Sequence, residues 1–332
     1  MTKTRELWID YIKGMCMVVI ILNHISLNPI YGQYTYSWEL SGFFFVGGYT
    51  FNRYGRFKEF FLKKFNSLVI PVFAFGLLNM LVSCLAKNVS IITRLEGIFF
   101  QFPGQNDDMW FVACLFVMEL IFYLLVRFVK NDASRFVFCI LLLCGGWLWK
   151  DKVGTPLPWH LVNACMMLVF VECGYLAKKY RAYQRLKDSM NSIVGKILVI
   201  GVIGSYILFA SFLNNYPIDI HLLKYGNTLS FYILAAVGTC AIILLCVLLE
   251  RFRTSMFCRS IGFIGSNSLS YYGMQSKMIT IVVLIGLHFG LSPTNFIVPP
   301  TYTLVVLIIL APLSYLINRF MPFMLGRTYK KK

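Results

Sequence analysis

Of 332 residues, 58% are hydrophobic and only 14% charged, while the formal net charge is +17. The low charged share excludes an ordinary soluble domain, where charged residues make up about 25%. The positive charge lies in short clusters between apolar runs and builds no continuous basic face, which argues for membrane topology and excludes nucleic acid as the partner.

Apolar runs long enough to cross a hydrocarbon core about 30 Å thick recur from one end of the chain to the other. They predict an all-α fold, a polytopic transmembrane helical bundle of about ten spans near 8–27, 38–53, 68–86, 108–128, 134–149, 161–178, 195–213, 226–249, 268–287 and 297–319. The runs at 38–53 and 134–149 are short, so the expected count moves by one or two. The first run follows a basic start but has no small-residue cleavage site after it, so it reads as a retained helix. One membrane domain over 1–332 uses the whole chain, with no linker or low-complexity tract. The ten cysteines form no C-x-x-C pair and most lie within apolar runs, where they act as small hydrophobes.

Alternate loops carry most of the basic residues, 25 of the 31 lysines and arginines, in a register that starts with Lys3, Arg5 and Lys13 and ends with Lys330, Lys331 and Lys332. By the positive-inside rule, both termini are expected in the cytoplasm. The basic C-terminal end would also be drawn to anionic lipid.

Ionisable groups within spans are costly and therefore informative. The first span holds Asp10, Lys13 and His24. Lys13 and His24 are eleven residues apart, about 20° past three full turns, so they share one helix face and lie roughly 16 Å apart along the axis. A cation near the cytoplasmic end can steady a phosphate. An imidazole deeper in the membrane can take a proton from a hydroxyl. Asp10 is one turn before Lys13 and can pair with it. The competing reading is structural: Lys13 snorkels to the interface and His24 caps a polar cluster with Asn23 and Ser26.

Later spans add Glu119 and Glu172, which either orient His24 or pair with other polar helix residues. Lys277, close to Gln275, either pairs with one of these acids or reaches the site. Arg53, Arg56, Lys63 and Lys64 form a basic cluster after the second span that suits the phosphates of a nucleotide-bearing donor, although positive-inside bias alone produces such clusters. His160, His221 and His288 fall in loops or at span ends and are expected to be interfacial. No phosphate-binding loop and no metal-ligand spacing occurs, so no metal is expected.

The stretch Ile9-Asp10-Tyr11-Ile12-Lys13-Gly14 followed by His24 resembles the opening of the acyltransferase type 3 family of membrane O-acyltransferases, in which an R/K-x10-H motif lies on the first helix. Further similarities follow in the family's order. Phe43-Phe44-Phe45-Val46-Gly47-Gly48 resembles its FFFxSG-type second helix, with Gly47 in place of serine. Lys63-Lys64 through Pro71, Met109-Trp110-Phe111, Pro158-Trp159, Gly174-Tyr175 and Ile261-Gly262 through Gln275 resemble later segments, with Gln275 in place of a frequent histidine.

The resemblance covers about 5–325 and is nearest to the fucose 4-O-acetylase-like group. It implies a multi-pass protein of the bacterial plasma membrane that moves an acyl group, expected to be acetyl, from acyl-CoA to a carbohydrate hydroxyl of a cell-envelope glycan or its precursor. Acetyl-CoA is the expected donor. The roles it implies are His24 as base, with Lys13, Asp10, Glu119 and Glu172 supporting the chemistry. Lys13, Arg53, Lys63, Lys64 and Trp110 would hold the donor, and Asn23, Gln275 and Lys277 the acceptor. The alternative is a transporter or flippase for a lipid-linked sugar, which needs similar intramembrane polar groups but also internal repeats, and no clear repeat is visible.

Overall fold

A computed structural model of the chain describes residues 6–52, 55–86, 90–102, 108–155, 157–190, 192–213 and 218–327. Apart from one isolated antiparallel bridge, every regular element among them is helical. That follows from the solvent: a hydrocarbon interior offers backbone groups no partners, and a helix satisfies them within its own segment.

The chain begins with α1 (Leu7–Ile25), the short α2 (Pro29–Thr35) and α3 (Glu39–Thr50). α4 (Phe57–Lys64) runs through a π-helical turn at Phe65–Val69 into α5 (Ile70–Ala86). Next come α6 (Ile91–Phe100), α7 (Trp110–Phe128), α8 (Asp132–Lys152), α9 (Leu161–Lys179) and α10 (Ala182–Ser189). α11 (Ile193–Leu213), α12 (Thr228–Leu249), α13 (Met256–Ser266), α14 (Ser268–His288) and α15 (Val298–Phe320) complete the order. Several helices start where the sequence signals it. The Asn131, Asn227 and Ser255 side chains accept from Ser134, Ser230 and Cys258 N–H groups at 3.0, 3.0 and 3.2 Å, satisfying donors that no earlier carbonyl can reach.

Each expected span contains a helix, and among the described residues eight helical segments are both long and apolar enough to cross a membrane. Eight is within the expected count of about ten moved by one or two. α3 has 12 residues, about 18 Å of helix, and is too short for the hydrocarbon core. α14 has the length but carries Ser268, Ser270, Gln275, Ser276 and Lys277, and is too polar. The run at 134–149, although it reads as short, belongs to a full 21-residue helix.

α1 is the hub. It packs against α3, α12, α13, α14 and α15, while α3 lies along α9, which is flanked by α7 and α8. Two-thirds of α1 is buried, against 17% of α8 and 22% of α11, which face outward. Two crossings bring backbones into contact. A methyl group at Gly265 would overlap the Asp10 carbonyl, and one at Gly14 would overlap that of Ile261, so α1 and α13 touch through both glycines. Gly48 and Gly174 do the same for α3 and α9, against the carbonyls of Val171 and Phe45. Such close approach is how helices gain van der Waals contact where lipid competes equally for apolar side chains.

Gly174→Ala and Gly265→Ala should therefore each destabilise the protein by about 1–3 kcal/mol, the usual cost of overpacking. Gly201→Ala and Gly204→Ala on α11, where an added methyl meets nothing within 4 Å, should be close to neutral. Thermal unfolding in detergent micelles checks the contrast, and equal Tm shifts for the two pairs would contradict the close-packing account.

Candidate functional site

α1 carries one candidate group at each end, and each opens into its own cavity. At the Lys13 end a space of about 200 Å³ has apolar walls, including Phe43, Leu115, Leu269 and Tyr272, and a polar edge of Lys13, Thr50, Glu119 and Ser268. Lys13 is paired with Asp10 at 3.0 Å, the pairing their one-turn spacing implies, and keeps 26% of its side chain exposed. Glu119 meets the Lys64 ammonium, so one residue of the basic cluster is committed to the wall of this cavity. Lys63 is exposed at the end of α4. Arg53 lies outside the described residues.

At the other end a cavity of about 320 Å³ is lined by His24, Asn23, Glu39, Tyr36, Trp110 and the segment from Ile218 to His221. His24 is exposed to it. Its Nδ1 lies 2.7 Å from the Ile20 carbonyl oxygen. A carbonyl only accepts, so Nδ1 carries a proton, and in the neutral ring Nε2 keeps a free lone pair. The geometry thus fixes the tautomer of a base. Beside it the Asn23 amide donates to the buried Glu39 carboxylate, and Thr35 Oγ1 donates to Asn23 Oδ1 at 3.0 Å. Glu39 is the first residue of α3, where the helix dipole favours an acid.

The far wall of this cavity is aromatic. Trp110 lies 5.1 Å from His221 and 5.2 Å from His160, ring centre to ring centre, and the two imidazoles are 5.3 Å apart. Trp159 and His160 adopt left-handed backbone, φ 56° and 53°, which costs non-glycine residues on the order of 1–3 kcal/mol each. That conformation turns His160 into the ring cluster at the start of α9.

The two cavities nearly meet. Along α3 the boundary falls between Leu40 and Phe43, and along α7 between Trp110 and Phe111. Phe111 packs against Phe43, Phe44 and Tyr272 at 5.4, 5.1 and 5.8 Å, forming a septum about one helical turn thick.

The remaining expected site residues are placed elsewhere. Glu172 is fully buried in a two-point pair with Arg135, both contacts 2.7 Å, under the Tyr175 ring. It is bound to α8 and lines neither cavity. Arg135 also reaches Asp132 at 3.0 Å. Lys277 pairs with Asp108 at 3.3 Å, and Ser276 donates to the same carboxylate. Gln275 is buried one turn beyond Tyr272, and its Oε1 has no hydrogen-bond partner among the described residues. Glu39 and Asp219 were not singled out by the sequence, and His160 and His221, expected to be interfacial, instead pack around Trp110, with His221 on the wall of the His24 cavity and His160 buried. No local motif marks Glu39, Asp219 or His221, because α3 and the loop before α12 bring them to α1 only through tertiary packing. Among the described residues no cluster of His, Cys, Asp and Glu could hold a metal ion.

Residues 6–319 match a family model described as an acyltransferase domain, that of acyltransferase type 3. No curated protein and no solved structure matches the chain.

The Arg135–Glu172 pair makes a direct test of whether Glu172 is structural. Glu172→Gln removes the buried carboxylate partner of Arg135, leaving it only the partly exposed Asp132, and should cost about 3 kcal/mol, whereas Arg135→Leu with Glu172→Leu should recover most of the loss. The measurement is unfolding midpoint in detergent. A Glu172→Gln protein as stable as wild type would contradict a structural role.

Proposed function

The chain belongs to the acyltransferase type 3 family of membrane acyltransferases, and from that premise we propose that it transfers an acyl group, acetyl in the simplest case, from acyl-CoA to a carbohydrate hydroxyl. The observation that carries this reading is the His24 cavity, where an imidazole of fixed tautomer presents Nε2 to a space large enough for a small acceptor. The Lys13 cavity lies at the other end of the same helix.

The distribution of basic residues supports a cytoplasmic Lys13 end, where CoA is available. There Lys13, together with Arg53 and Lys63 of the basic cluster after the second span, offers charge to the donor phosphates. The apolar walls suit the pantetheine arm, which extends along α1 and past Phe111 to bring the thioester to His24. In the outer cavity Trp110 and Tyr36 offer ring faces to a sugar, while Asn23, Glu39 and Asp219 offer partners for its hydroxyls.

His24 Nε2 takes the hydroxyl proton as the oxygen attacks the thioester carbon. A C–O bond forms, the C–S bond breaks, and the proton passes to the departing thiolate. Base catalysis of this kind is worth about 10² to 10⁴ in rate. Holding the two reactants in one cavity supplies much of the rest. The family membership favours this reading over transport.

Purified protein in liposomes, given labelled acetyl-CoA and extracted envelope glycan, should place alkali-labile label in the glycan. His24→Ala should lower kcat by about 10² or more. Lys13→Ala should raise KM for acetyl-CoA more than it lowers kcat, and Lys13→Arg should restore it. Equal labelling by wild type and His24→Ala would sink the role of His24.

A further inference from the structure

The Lys13 cavity is a gap between two helix faces. α3 lines it with Phe43, Val46, Gly47 and Thr50, the i, i+3, i+4, i+7 spacing of a single face. Phe111, Leu115 and Glu119 face them from successive turns of α7. The order along both helices is the same. Thr50 and Glu119 lie at the polar edge with Lys13, Phe43 and Phe111 lie at the septum, and Gly47 and Leu115 fall midway, about one helical turn from either end. A chain that enters at the polar edge and reaches the septum passes between Gly47 and Leu115.

Glycine within a helix is less stable than alanine, because its backbone has more freedom to lose. Gly47 and Gly48 place two in succession in the 12 residues of α3. Gly48 is explained by packing, since a methyl group there would overlap the Val171 carbonyl of α9. Gly42 is also tight, with the Cys16 sulfur 3.0 Å from an added methyl. Gly47 has no such reason. A methyl there would come no closer to any other helix than 3.5 Å, to the Leu115 side chain, which is ordinary van der Waals contact. Its backbone is helical and outside the left-handed region, so conformation does not require glycine either. What remains is the space in front of it, for Gly47 is half-buried and lines the cavity. That cavity, about 200 Å³, is small beside the roughly 300–1,000 Å³ of ordinary ligand pockets. It suits a slender segment of a ligand, and the width at its middle decides what passes.

We propose that Gly47 is a specificity-determining residue: with Leu115 it forms the waist of the donor path and, by carrying no side chain, leaves a width that admits the slender arm of an acyl-CoA. The inference rests on the acyl-transfer reading, which runs the donor arm through this cavity. A larger side chain at position 47 would bridge α3 to α7 and close the waist, while the outer cavity with His24 lies beyond the septum.

Binding of labelled CoA to purified protein in detergent micelles reads the path independently of turnover. Gly47→Leu should weaken CoA binding at least tenfold and lower kcat/KM for acetyl-CoA by a similar factor in the liposome assay, with KM for the glycan within threefold of wild type. Gly47→Ala, whose methyl only reaches ordinary contact with Leu115, should bind CoA within threefold of wild type and unfold at the same or a higher temperature. Adding Leu115→Ala to Gly47→Leu should recover at least threefold in binding, because it reopens the facing side of the waist. CoA binding by Gly47→Leu within threefold of wild type would overturn the assignment. So would an unfolding midpoint of Gly47→Ala well below wild type, the mark of a packing glycine, or no recovery in the double variant. If His24→Ala abolishes transfer while Gly47→Leu binds and turns over normally, only this inference fails. Wild-type protein that does not bind CoA would remove the acyl-CoA reading as well.

Discussion

Everything at the two ends of α1 depends on how closely its neighbours approach it. In lipid, apolar side chains gain little by leaving solvent for each other, so helix contact must come from shape. Gly14 and Gly265 let the α1 and α13 backbones touch, and Gly48 and Gly174 do the same for α3 and α9. These two contacts fix the depth and rotation of α1 and α3 together, because α3 also packs on α1. Lys13, His24 and Glu39 then have no freedom to slide relative to one another. A site built on rigid helices holds its reacting groups better than one built on loops.

A second constraint is that charge inside the bundle has to be matched. Arg135 is paired with Glu172, Lys64 with Glu119, Lys277 with Asp108 and Lys13 with Asp10. Most ionisable groups within the spans are thereby accounted for as pairs. Their distribution separates roles. Arg135 and Glu172 are closed off, whereas Lys13 and Glu119 keep a face on a cavity. Exposure to a cavity, more than the presence of a charge, marks the groups available to a substrate.

The relation between Lys13 and His24 was readable in the sequence, because helical periodicity alone puts them on one face at opposite depths. The positions of the helices were readable for the same reason, since hydropathy reports burial in lipid directly. Other features were not. α3 has the composition of a span, but its 12 helical residues are set by where the chain turns at Trp38 and Phe51. Glu172 looked like Glu119, an acid in an apolar run, and only packing shows which one has an arginine across from it. His221 lies nearly 200 residues after His24 in the chain, in a short polar loop that also reads as interfacial. Its place on the wall of the His24 cavity depends on the turn at Asp219–Lys224 and the hold of Tyr225 on α9.

The aromatic septum at Phe111 has a consequence for the cell that owns the membrane. Two cavities at opposite ends of α1, if joined by water across the bilayer, would short-circuit the membrane potential, since each elementary charge that leaks dissipates about 2.3 kcal/mol per 100 mV. Phe43, Phe44, Phe111 and Tyr272 interrupt the line of polar groups with about one turn of ring carbon. A thin uncharged barrier of this kind opposes the passage of a hydrated ion from one cavity to the other.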